Sequence, residues 1–185
     1  MRWIDREFVG HDFRDDDLSR LQTERVLFTE CDFTGVNLAE SEHQGSAFRN
    51  CTFNLTSLWH STFRQCSMLG SVFTRCRLRP LTFDEVDFTL AVLGGNDLHG
   101  VDLSGCRLRE TSLVEADLRK TLLRGADLTG ARTTGTRLDD ADLRGATVDP
   151  SLWTTASLAG ARIDIEQALT YAVAHGLRLD GARDG

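Results

Sequence analysis

The sequence is short of several things. Proline occurs twice in 185 residues, lysine once against twenty arginines, and tyrosine once. No apolar run reaches the ~18 residues that a membrane-crossing helix needs, so no transmembrane helix is expected. No basic-plus-apolar leader follows Met1, which points to the cytoplasm. No HExxH, GxSxG, P-loop or dinucleotide fingerprint is present. The histidines at 11, 43, 60, 99 and 175 lack metal-ligand spacing. No enzyme, metal or cofactor is therefore expected. Charge is missing in blocks as well. Residues 49–82 contain no acid, only Arg49, Arg64, Arg75, Arg77 and Arg79, while 83–102 contain no base, only Asp84, Glu85, Asp87, Asp97 and Asp102. The net charge of −7 disfavours direct nucleic-acid binding.

What is present is a period of five. Between Gly100 and Gly145, leucine returns at 103, 108, 113, 118, 123, 128, 138 and 143, with threonine at 133. Neither a helix nor a flat strand has that period, so the chain is read first as a repeat. Call the apolar position i. It falls on every number ending in 3 or 8. From Trp3 to Ile163 there are 33 such positions, and all but Thr23, His43 and Thr133 are apolar. All ten Phe lie at i, all five Cys at i−2, and twelve of the sixteen Gly at i+2. That sorting predicts i on the axis, small i−2 residues also inward, and i−1, i+1 and i+2 facing water, with glycine suited to the corner at i+2. Leucine recurs every twenty residues from Leu18 to Leu158, and Thr23 and His43 are also twenty apart. Four pentapeptides therefore form one coil, and like residues stack. About eight coils at ~4.8 Å make a rod of roughly 38 Å.

The A(D/N)LXX units, such as Ala126-Asp127-Leu128-Thr129-Gly130 and Ala141-Asp142-Leu143-Arg144-Gly145, resemble the pentapeptide-repeat family. The resemblance implies an all-β solenoid, a right-handed quadrilateral parallel β-helix of about eight coils, over residues 1–163. It is strongest to members that confer fluoroquinolone resistance. It therefore implies a DNA-mimicking protein that binds and inhibits DNA gyrase, a protein partner, with no direct nucleic-acid or membrane contact. The alternative is a structural or interaction scaffold with another partner. Plasmid-borne relatives in the family carry projecting loops that matter to protection. This register never slips by other than five, so the function is expected on the rod surface. The gyrase-binding acids are expected at Asp84, Glu85, Asp87, Asp97 and Asp102, continued by Glu115, Asp117 and Asp127. Mimicry must be local. Duplex DNA carries one charge per ~1.7 Å, so a dimeric rod of roughly 80 Å would replace about 47 phosphates, against a net of −14 for two chains of −7 each.

Several irregular places carry their own expectations. Arg6, His11 and Asp16 at i−2, with Asp15, Asp16 and Asp17 adjacent, predict a first coil that caps the open end and keeps it wet. His43 is expected buried and hydrogen-bonded beneath Thr23. Cys31 and Cys51 are the one pair spaced for a bond, although their shared phase reads them as small inward hydrophobes. Pro80, Leu81, Gly94-Gly95 and Asn96 predict a bulge or shift between coils over 79–97. Residues 164–185 change period. Asp164 with Gln167 three residues on is a capping-box pattern opening a short C-terminal helix. Ile165, Ala168, Leu169, Ala172 and Val173 share one face of it, followed by Leu177 and Leu179. This apolar set is expected to close the last coil and, from the resemblance, to join two rods as a homodimer.

Overall fold

The computed structural model describes residues 1–179; residues 180–185, the end of the tail segment, lie outside it. Ten three-residue strands occupy the first half: β1 (Arg2–Ile4), β2 (Glu7–Val9), β3 (Gln22–Glu24), β4 (Leu27–Thr29), β5 (Glu42–Gln44), β6 (Ala47–Arg49), β7 (Thr52–Asn54), β8 (Thr62–Arg64), β9 (Val72–Thr74) and β10 (Thr82–Asp84). They form three parallel ladders, β1-β3-β5-β8-β10, β2-β4-β6 and β7-β9. Every register joins residues twenty apart, such as Phe8 to Phe28 and Phe53 to Phe73. The same step continues as single bridges to Asp127–Thr147, Arg137–Ser157 and Asp142–Arg162. The fold is a parallel β-solenoid of four-sided coils with a short C-terminal helix.

The expected set of eight like coils is corrected in one respect. Paired strands extend over only four twenty-residue steps, from Arg2 to Asp84. From Val86 onward every regular side closes instead with a turn, in which the i+3 N–H donates back to the i carbonyl, as from Ala126 to Leu123 at 3.1 Å. The i+2 residue of that turn has positive φ, as a type II turn requires. Positive φ at the i+2 corner is adopted by seventeen non-glycine residues as well, after strands, as at Leu55, and within turns, as at Leu90 and Lys120. The loss of strands coincides with the change at i from Phe to Leu after Phe88. Gly94 has a separate reason to be glycine, since a Cβ there would lie 2.7 Å from the carbonyl oxygen of Val114.

The axis is filled as the repeat predicts. Phe28, Phe33, Phe48, Phe53, Phe63, Phe73 and Phe88 are fully buried, as are Leu98, Leu108, Leu118 and Leu138. The rings of Phe33, Phe53 and Phe73 stack at 4.9 and 4.6 Å, within 4° of parallel. That matches the ~4.8 Å rise between coils, so an aromatic column and the backbone ladder share one spacing. Small polar residues at i−2 have a task that composition did not reveal. Thr56, Ser71, Thr111 and Thr136 donate to the i carbonyls of Phe33, Phe48, Phe88 and Leu113 at 2.7–2.8 Å. Cys31, Cys51, Cys66 and Cys76 point their thiols at the equivalent oxygens, and all five cysteines are free. Burial pushes the Cys51 thiol up to about 12.

Three local expectations meet the structure directly. Arg6, His11 and Asp16 are exposed, so the first coil does open to water. His43 is buried, shares hydrogen bonds with Thr23 Oγ1 through Nδ1 (2.7 Å) and Ser41 Oγ through Nε2 (2.9 Å), and stacks on Phe63 at 4.5 Å. Around Pro80 the ladder breaks on two adjacent sides. Bridges Ser57–Arg77 and Asp97–Asp117 form, but none joins Arg77 to Asp97, and none joins Thr82 to Asp102. Proline has no N–H to donate upward. The Arg79 guanidinium instead reaches the His99 carbonyl at 3.1 Å and the Asp97 carboxylate, and Asn96 Oδ1 accepts from Cys76 N–H at 3.1 Å.

The distal end departs from the uninterrupted register. After Pro150, a four-residue helix α1 (Leu152–Thr155) replaces one side of the coil, and Thr133 beneath it bonds Thr155 Oγ1 at 2.9 Å. The terminal helix α2 (Ile165–Ala174) begins with the expected capping box: Asp164 accepts from Gln167 N–H and Gln167 Oε1 from Asp164 N–H. Its docking face is not the one expected. Gln167 is the buried residue, donating to the Leu143 and Ala146 carbonyls at 2.7 and 2.8 Å, while Trp153 Nε1 donates to Thr170 Oγ1. Ile165, Leu169, Val173, Leu177 and Leu179 do not close the last coil; they are exposed, Ile165 by 80%, and Ala172 is half-buried. The reason is geometric. The capping box fixes the helix phase and turns Gln167 inward, where it satisfies carbonyls that an apolar side chain would leave unpaired.

Candidate functional site

The solenoid sends i−1, i+1 and i+2 side chains outward, so the candidate surface is read side by side. Asp84 and Asp102 lie on the side that carries β10, Asp87 and Asp127 on the next, and Asp97 and Asp117 on a third. Glu85 and Glu115 stand at corners with φ of 52° and 58°. The acid-only stretch of sequence is therefore wrapped round the rod and is not one patch. Only Asp97 and Asp117 are direct ladder neighbours, whereas Arg107 lies between Asp87 and Asp127.

Five of these acids also hold the fold. On turn-closed sides the i−1 carboxylate accepts the N–H of i+1: Asp87 from Thr89 (2.9 Å), Asp97 from His99 (3.0 Å), Asp102 from Ser104 (2.9 Å), Asp117 from Arg119 (3.2 Å) and Asp127 from Thr129 (3.0 Å). This is an Asx-turn, and it explains why the repeat asks for Asp or Asn at that place. Asn37 does the same for Ala39 at 3.1 Å. The reading of i−1 as merely solvent-facing missed this role. The signal was the D/N choice itself, since Glu never takes i−1 on the turn-closed sides. We expect Asp102→Ala to cost about 1 kcal/mol and Asp102→Asn to be close to neutral. Urea denaturation of the two variants checks this, and equal losses would contradict the acceptor role.

Ion pairing divides the set further. Asp87 faces Arg107 (3.9 Å), Asp97 pairs with Arg79, Asp117 with Arg119 (2.6 Å) and Arg137 (3.6 Å), and Asp127 with Arg109 (3.1 Å). Hydrogen bonding from the Arg119 guanidinium holds the Asp117 carboxyl down to about 2. Burial works upward on Asp127, but the Thr129 hydroxyl and N–H, with Arg109, outweigh it and leave it lowered. Asp84, Glu85, Asp102 and Glu115 have no basic partner among the described residues; Glu85 accepts from Gln65 Nε2 at 3.0 Å. Asp84 and Asp102 both repel negative charge at Cys106, whose thiol burial and these acids raise to about 11. Asp84, Glu85 and Asp102 therefore form the compact group without an ion pair among the described residues, although Arg64 is the ladder neighbour of Asp84. Among the described residues no cluster of His, Cys, Asp and Glu is placed to hold a metal, and no helix is long and apolar enough to cross a membrane.

Residues 56–133 match the family described as pentapeptide repeat region, and residues 28–68 match pentapeptide repeats of nine copies. The pentapeptide repeat protein MfpA of Mycobacterium tuberculosis is 81% identical over 180 residues, 97% of this chain and 98% of that protein. A protein of the same name from Mycolicibacterium smegmatis is 71% identical over 59 residues, 32% of this chain and 31% of that one. Among solved structures, full-length QnrB1, a plasmid-mediated fluoroquinolone resistance protein, superposes with TM-score 0.60 at 17% identity, over 96% of this chain and 100% of that one. That likeness concerns the fold alone. With the repeat phase, the four-sided coils and 81% identity across nearly all of both chains, the chain belongs to the pentapeptide-repeat protein family.

Proposed function

We propose that this chain is a cytoplasmic, homodimeric DNA mimic that binds and inhibits DNA gyrase and thereby confers fluoroquinolone resistance. It acts by binding, without catalysis. The observation that carries the reading is the full-length likeness to MfpA, 81% identical; the fold shared with a fluoroquinolone resistance protein supports it. The surface narrows the contact. Asp84, Glu85 and Asp102 form no ion pair among the described residues, while Asp87, Asp97, Asp117 and Asp127 already face arginines. Fixed negative charge on a rigid rod would steer it to a DNA-binding surface, with an attraction that salt screens. Wild-type protein is expected to inhibit supercoiling by cognate gyrase at micromolar concentration, less so as salt rises. The triple variant Asp84→Asn, Glu85→Gln, Asp102→Asn should weaken inhibition at least tenfold with an unchanged melting temperature, because Asn keeps the Ser104 bond. No inhibition at micromolar excess would favour the scaffold reading. Full inhibition by the triple variant would move the contact to another face.

The dimer is proposed through the α2 stripe. Ile165, Leu169 and Val173, with Ala172, Leu177 and Leu179 beside them, leave an apolar strip in water beside the end of the rod. Ile165→Glu with Val173→Glu should convert a dimer of two 20.6 kDa chains to a monomer by light scattering, with the coils intact by circular dichroism. A variant that remains dimeric would refute this interface.

A further inference from the structure

The side that carries Leu58, Leu78 and Leu98 has a feature that the acidic surface does not explain. Arg75 and Arg77 are exposed and, unlike most arginines of the rod, have no carboxylate partner among the described residues. Arg75 Nη2 donates only to Asn54 Oδ1, at 3.3 Å. The Arg77 guanidinium lies 5.0 Å from the centre of the half-buried Trp59 ring, and Trp59 packs edge-on against His60 at 4.1 Å. A chain of net charge −7 thus presents a basic and aromatic patch within a stretch, 49–82, that has no acid at all.

The backbone beside this patch has unpaired ladder groups among the described residues. On the coil below, Leu58 N–H donates to the Arg77 carbonyl at 3.0 Å, and on the coil above, Leu98 N–H donates to the Asp117 carbonyl at 2.9 Å. Between them Leu78 N–H and the Asp97 carbonyl make no such bond, and Asp97 N–H does not reach the Cys76 carbonyl. A cavity of about 420 Å³ opens there, lined by Arg75, Cys76, Arg77, Leu78, Arg79 and Asp97. Free ladder groups next to fixed side-chain charges are what an extended peptide uses when it docks by main-chain hydrogen bonds.

We infer that this break in the ladder is a second interaction surface, which takes a short, extended, acidic polypeptide segment. Two carboxylates meet Arg75 and Arg77, the segment's aliphatic stems lie on Trp59, and its backbone pairs with Leu78 N–H and the Asp97 carbonyl. A nucleic acid suits the patch less well. Phosphates at one charge per ~1.7 Å would run past the arginines, within one or two coils, onto Glu40 on one side and Asp97 and Asp117 on the other. The inference is independent of gyrase binding and survives its failure.

The probe is a fluorescein-labelled decapeptide of alternating Glu and Thr, followed by anisotropy with the full chain at low salt, with the Gln-Thr peptide as control. The acidic peptide should bind at least tenfold more tightly than the neutral one. Binding should fall at least tenfold in Arg75→Glu with Arg77→Glu, and less than twofold in Arg132→Gln, an arginine on another side. Equal binding of both peptides, an unaffected double variant, or tighter binding of a 20-base-pair duplex would overturn the inference. Amide and indole shifts in the wild-type protein give a test that needs no variant. Shifts at the Trp59 indole and Leu78 amide on adding the acidic peptide support the site, and shifts confined to other sides refute it.

Discussion

Phe53→Ala is expected to remove about 3–5 kcal/mol of stability, the range for a buried aromatic truncated to alanine. The ring is fully buried between Phe33 at 4.9 Å and Phe73 at 4.6 Å, so its loss leaves a gap in a column that has contacts above and below. A closed coil cannot collapse into that gap without lengthening or breaking backbone bonds on its four sides, which keeps the cost near the upper end. Phe53→Leu should recover most of the loss, because Leu93 fills the same column two coils further along. Equilibrium urea denaturation measures both. Contacts in a solenoid are made only between neighbouring coils, so hydrogen exchange should accelerate first at the amides near Phe33 and Phe73. A loss below about 1 kcal/mol would contradict the burial of the aromatic column.

Acid should destabilise the fold through His43 well before its carboxylates titrate. Burial pushes the His43 imidazole down to about 3, whereas the unfolded chain takes up that proton near ~6.5. A group whose folded pKa is depressed supports the fold above its unfolded pKa and loses that support as pH falls. The loss therefore starts near pH 6.5 and continues to about pH 3. Each pH unit in that window costs a little over 1 kcal/mol, or roughly 3 kcal/mol by pH 4.5. Denaturation curves of wild type and His43→Gln between pH 7 and 4.5 should therefore converge by about that amount. Curves that stay parallel would show that His43 ionises in the folded state. The His43 ring proton resonance offers a second check, since it should not move over this range.

The period of five and the column of leucines twenty apart were enough to derive the four-sided coil, because stacking forces identical positions into contact on every coil. Asp164 and Gln167 likewise predicted the capping box at its observed place. The docking face of α2 was not legible. Amphipathic spacing shows which residues share a side, but not which side the cap turns inward, and Gln167 occupies the buried place through bonds to the Leu143 and Ala146 carbonyls. The candidate acids were legible as outward residues. Their pairing was not, because Arg109 and Asp127, or Arg79 and Asp97, meet only when the chain has completed about one coil.

By itself, then, the sequence determined the phase: which residues face the axis, which face water, and how many residues close a coil. Phase is a local and repeated property, reinforced by 30 apolar residues at 33 places and defeated by none of the three polar exceptions. Tertiary structure decided what depends on single contacts between coils. It made the i−1 aspartates acceptors for their own turns, spread the acid-only stretch over three sides, opened the ladder beside Pro80 and left Arg75 and Arg77 without a carboxylate partner among the described residues. Those outcomes depend on hydrogen-bond geometry of a few tenths of an ångström, and that geometry exists only once one coil rests on the next.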